Sequence, residues 1–106
     1  MDAHALAEER SLALHREVLA LLERDPELTA RARARVQQWI DDGSVHAHYA
    51  QRWSQLLAGP FDALRAVMLD ESEHGRALRQ VTPFAGFVDP RTRWRIWRDV
   101  RARRGA

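Results

Sequence analysis

The chain has 106 residues, enough for one domain with a real core. With 45% hydrophobic and 30% charged residues it has ordinary globular usage, which excludes disorder over its whole length. Cysteine is absent, so disulfides and thiolate metal sites are excluded; no stretch approaches 18 uncharged residues, so no membrane span is expected and a cytoplasmic location is the default. Net charge is only +2, yet the isoelectric point is about 10.3, because all 17 basic residues are arginine. Lysine and asparagine do not occur at all. GC-rich coding explains such a composition globally; only local clustering can point to function.

Turn residues divide the chain into five or six short helices. The first is expected over Ala3 to Arg24, where Leu14, Val18, Leu21 and Leu22 follow helical spacing. Asp25-Pro26 ends it and starts the second, which runs to about Asp41 with Leu28, Ala32, Val36, Trp39 and Ile40 on one face. Arg31, Arg33 and Arg35 point largely elsewhere. Gly43 supplies a left-handed C-terminal residue, and Ser44 is the expected cap of a third helix carrying Tyr49, Trp53, Leu56 and Leu57. Gly59-Pro60 precedes a fourth helix with Phe61, Leu64, Val67 and Met68 inward. Asp70-Glu71-Ser72-Glu73 resembles a capping box and opens a fifth helix to about Val81. Thr82 to Phe87 reads as a loop anchored by Phe84 and Phe87. Asp89-Pro90 then starts the last helix, with Trp94, Trp97 and Val100 three residues apart. No segment alternates with period two, so no sheet is expected. The predicted fold is an all-α, single-domain bundle over residues 1–106.

Few residues suggest chemistry. His46 and His48 stand two apart, a spacing that does not share a helix face, so capping or surface roles fit better than zinc. Asp70, Glu73 and His74 would need to converge in a pocket to act as acid and base; their place at a helix start explains them more simply. No glycine-rich phosphate loop, nucleophile elbow or HExxH pair occurs. The reading is a non-enzyme with no catalytic, metal or cofactor residues.

Two segments suggest binding. Residues 61–81 have the lengths of a helix-turn-helix, with Arg76, Arg79 and Gln80 placed to reach base edges; Glu71 and Glu73 at the front of the second helix would repel phosphate. The C-terminal helix, residues 90–106, is the more unusual. Between Arg91 and Arg104 it carries seven arginines and one acid, Asp99, around Trp94 and Trp97. Arginine and tryptophan are the residue types enriched at interface hot spots.

The stretch Ala77-Leu78-Arg79-Gln80-Val81-Thr82-Pro83-Phe84-Ala85-Gly86, followed by Asp89-Pro90-Arg91-Thr92-Arg93-Trp94-Arg95-Ile96-Trp97-Arg98, resembles the C-terminal part of small helical antitoxin-like proteins encoded beside bacterial toxin genes. Arg10-Ser11-Leu12-Ala13-Leu14-His15 and Val45-His46-Ala47-His48-Tyr49-Ala50 with Trp53 extend the likeness over most of the chain. The resemblance implies a cytoplasmic protein that neutralises a cognate toxin by protein–protein contact. On that reading Phe84, Phe87, Arg91, Trp94, Arg95, Trp97 and Arg98 form the contact surface. The alternative is a transcriptional regulator binding operator DNA through 61–81. An apolar surplus on the first helix would also allow pairing with a second copy.

Overall fold

The computed structural model describes residues 3–105, and its elements follow from the punctuation of the chain. Six helices form: α1 (Ala3–Arg24), α2 (Glu27–Asp42), α3 (Ala47–Ala58), α4 (Phe61–Met68), α5 (Glu73–Gln80) and α6 (Pro90–Gly105). No strand occurs among the described residues. None of these helices is long and apolar enough to cross a membrane.

Side chains cap the starts of α2, α3, α5 and α6, while α4 begins at Pro60 without a side-chain cap. The Asp25 carboxylate accepts from the Glu27 N–H at 3.1 Å. Asp89 accepts from the Thr92 N–H at 2.9 Å and from the Thr92 hydroxyl at 2.8 Å, with Pro90 in the first helical position. Both bonds, the backbone one first, hold the Asp89 carboxyl below its ordinary range. Gly43 closes α2 at φ 68°, the left-handed conformation its type allows, and donates to the Trp39 carbonyl.

Two caps differ from expectation. His46, not Ser44, caps α3: its Nδ1 accepts from the His48 N–H at 3.2 Å, while the Ser44 N–H is spent on Asp42. At α5 the cap is Ser72, two residues beyond the Asp70 of the expected box. Its hydroxyl accepts from the Gly75 N–H at 3.4 Å, and Asp70 in turn accepts from the Ser72 N–H at 2.9 Å. The third helical position is thus Gly75, where a capping box would have placed glutamate.

Helix α1 is the axis of the fold. It lies along α6 and also touches α2 and α4, while α2 packs on α3, and α4 joins α3 to α5. The runs are antiparallel between α1 and α6: Glu17 meets Arg95, and Glu9 meets Arg103 and Arg104. The core collects Val18, Leu19 and Leu22 of α1, Val36 of α2, Trp53 and Leu57 of α3, Met68 of α4, Leu78 of α5 and Val100 of α6. Phe84, from the loop between α5 and α6, enters this core at 2% exposure. Its ring meets His15, Trp53 and Phe87 edge to face at 6.2, 5.6 and 5.5 Å.

Gly75 shows how tightly the short helices fit. A Cβ added there would lie 2.1 Å from the Asp70 carbonyl oxygen and 2.8 Å from its carbon, both backbone atoms that cannot swing aside. Gly75→Ala should therefore destabilise the fold by about 1–3 kcal/mol, although alanine is the better helix former. Thermal denaturation should show a loss of roughly 4–8 °C per kcal/mol for a domain of this size; an unchanged or raised Tm would refute the close contact.

Candidate functional site

The surface of α6 separates into two faces. Ile96 and Val100 are buried against the core, and Trp97 is half-buried beneath the Arg10 guanidinium, 5.6 Å from its ring centroid. On the opposite face Arg91, Trp94, Arg98 and Arg101 follow one another at intervals of three and four residues, which places them in one stripe. All four are exposed, and Trp94 is 66% exposed, the most open large apolar side chain of the described residues. Arg95 is turned toward Glu17, at 3.8 Å, and Arg103 and Arg104 toward Glu9. None of these carboxylates reaches the stripe. Its three guanidiniums form no ion pair among the described residues.

The residues expected to form one contact surface are thus divided. Arg91, Trp94 and Arg98 share the stripe, and Arg101, which the sequence reading did not single out, extends it. Arg95 stands beside it in an ion pair. Phe84 offers no surface because it fills the core. Phe87 is half-buried beneath two guanidiniums, Arg31 at 4.9 Å and Arg35 at 5.5 Å from its ring centroid. Of the two tryptophans expected on that surface, Trp94 is exposed and Trp97 is half-buried, while Ile96 and Val100 face the core.

The loop at 82–87 is fastened from three sides. Arg35 donates to the Pro83 and Ala85 carbonyls at 2.8 Å each. A four-residue turn is closed by the Phe87 N–H on the Phe84 carbonyl, with Gly86 at φ 83° in its third position. His15 holds the entry: its Nδ1 donates to the Ser11 carbonyl at 2.7 Å, so its Nε2 carries no proton and accepts from the Thr82 hydroxyl at 3.0 Å. Thr82 Oγ1 accepts in turn from the Phe84 N–H at 3.2 Å. Phe84 and Phe87 were expected both to anchor the loop and to meet a partner, and the arginines of α2 to point away from its apolar face; Arg31 and Arg35 meet the loop instead. The signal that was available is the run Arg31, Arg33, Arg35, of which Arg33 also donates to the Leu57 carbonyl of α3.

The residues assigned to base contact fare differently again. Arg79 is buried at 3% exposure. Its Nη1 donates to the Met68 and Asp70 carbonyls at 3.2 and 2.6 Å, satisfying groups left open at the end of α4. Arg76 is exposed and ion-paired to Glu8 of α1, and Gln80 is exposed beside the same groove. The α4–α5 pair therefore turns its central arginine inward.

The remaining candidates are structural. His46 is a cap, its ring and that of His48 edge-on to Tyr49. Both oxygens of Asp70 are taken by Ser72, which holds the carboxyl below its ordinary range, and Glu73 and His74 are exposed. Among the described residues no three His, Asp or Glu side chains converge to hold a metal ion. No family model, curated protein or solved structure matches this chain.

Burial of His15 has a measurable consequence. Desolvation lowers its pKa to about 4, assisted by the Arg79 charge and opposed by the Ser11 carbonyl. In the unfolded chain its pKa returns to about 6.5, so between those values the unfolded state binds the extra proton. Stability is then full above pH 6.5 and falls as the pH drops toward 4, by about 3 kcal/mol in all. Urea denaturation across this range should show that slope, and His15→Gln should flatten it. Equal slopes in the two proteins would show that His15 does not stay neutral in the fold.

Proposed function

We propose that this protein is a protein-binding inhibitor of the antitoxin kind, whose contact face is the stripe Arg91, Trp94, Arg98 and Arg101 on α6. The observation that carries the reading is Trp94: an indole 66% exposed, on a helix whose Ile96 and Val100 are buried, and flanked by exposed guanidiniums that form no ion pair among the described residues. Leaving a large apolar side chain in water forgoes about 1.5–3 kcal/mol of burial, which a partner surface would recover. Arginines around it select an acidic partner and speed the encounter.

The DNA-binding alternative has less support. It assigned base contacts to Arg76, Arg79 and Gln80, and burial of Arg79 removes the middle one. A stripe of phosphate-binding arginines has no use for a tryptophan at its centre unless the nucleic acid is single-stranded.

Co-expression with the product of the neighbouring gene provides the test. A stable complex that relieves that product's toxicity is expected. Trp94→Ala should weaken it at least about 30-fold, a hot-spot loss of about 2 kcal/mol, and Arg98→Glu should slow association. Both variants should keep the parent's Tm, since neither side chain is packed. If both remain folded and bind the neighbour as the parent does, the face is wrongly placed. Absence of any complex would remove the inhibitor reading itself.

A further inference from the structure

Two clefts open on α1, one toward α5 of about 340 Å³ and one toward α6 of about 280 Å³. They share Ala7, Ser11 and Arg79, and so form one trench across the helix. Of the buried side-chain polar atoms of the described residues that make no hydrogen bond, three are guanidinium nitrogens of this trench: Arg79 Nε, Arg79 Nη2 and Arg10 Nε. Buried orphans are rare, and several in one place mark a site where a polar group is missing.

Their geometry says which group. With Nη1 of Arg79 fixed on the Met68 and Asp70 carbonyls, its Nε and Nη2 form the side-on fork that receives two oxygens of one anion. Glu8 stands opposite, with Oε1 3.6 Å from Nη2, an ion-pair distance too long for a hydrogen bond. Glu8 is also held by Arg76. The described residues that line the trench include three guanidiniums, those of Arg10, Arg76 and Arg79, and the carboxylate of Glu8, while Asp70 and Glu71 add negative charge near Arg79 from outside the lining. A phosphate, which carries about −1.5 to −2 at neutral pH, can pair with more than one of these guanidiniums. Toward α6 the wall becomes apolar, with Leu14 and Trp97.

We propose that this trench binds a phosphate group on the Nε/Nη2 edge of Arg79, with Glu8 as the gate that covers the fork until the anion displaces it. The phosphate is either free or part of a small phosphomonoester whose body lies along Leu14 and Trp97. The proposal is independent of the partner face: it uses the side of α6 nearest α1.

Isothermal titration of the whole chain with inorganic phosphate, phenyl phosphate and acetate tests this, with tryptophan fluorescence as a second readout because Arg10 lies over Trp97. Saturable binding of phosphate but not acetate is expected. Tighter binding of phenyl phosphate would identify an organic phosphate as the ligand type, and equal binding a free one. Glu8→Gln removes the competing charge and should tighten binding about tenfold; Arg76→Gln, at an exposed side chain, should weaken it by a similar factor without loss of Tm. Arg79→Gln also removes the clasp on α4, so the two milder variants carry the decision. No saturation by either phosphate below about 10 mM, in both the parent and Glu8→Gln, would overturn the proposal, as would acetate binding as tightly as phosphate.

Discussion

A guanidinium inside a helical domain organises much of this molecule. Helices α4 and α5 have eight residues each, too few to be stable alone, and each buries only a short apolar edge. Arg79 joins them. It reaches from α5 to the open carbonyls of Met68 and Asp70, and it faces Glu8 on the central helix. Placing a cation there is costly, and two carbonyls and one carboxylate offset that cost only in part. The same contacts fix the angle of the turn, bring Gly75 against the Asp70 backbone, and leave no space there for a side chain. An arginine that reads as a surface residue is thus the hinge pin of the α4–α5 corner.

The second constraint is the loop between α5 and α6, which behaves as part of the core. Phe84 is surrounded by rings from α1, α3 and its own loop. The backbone on either side is held by Arg35 and, through Thr82, by His15. These bonds are made by side chains on the first two helices, Arg35 donating and His15 accepting, so the loop is set only when they have packed. The position of α6 along α1 follows from that loop. Exposed ion pairs such as Arg95–Glu17 add little to its hold. Ile96, Val100 and the preceding Val88 do most of it.

Element order and fold class were legible in the sequence because they depend on local signals. Asp25, Gly43, Asp89 and the Gly59-Pro60 break act within a few residues, and the structure uses them as read. What escaped depends on residues distant in the chain. Arg79 lies 71 positions from Glu8, and His15 lies 67 from Thr82; spacing along one helix cannot reveal either pairing. At α6 the period alone admits two faces, because apolar residues occur at 94, 96, 97 and 100. Clustering of arginine and tryptophan marked the helix that carries the exposed stripe; which of its arginines are ion-paired was decided by Glu9 and Glu17 on α1.

The energetics of α6 locate the important part of that face. Residues 101–105 are all exposed, and the last turns of the helix have Glu9 as their main tether to α1. Such an end opens at little cost. The segment around Trp94 is different: Asp89 caps it, and Val88, Ile96 and Val100 anchor it on both sides. A partner that meets Trp94 meets a surface already in its bound shape and loses little entropy in ordering it. A partner that relied on Arg101 or the arginines beyond would have to order a fraying helix first. Affinity should therefore concentrate at Arg91, Trp94 and Arg98, with the tail contributing mainly charge.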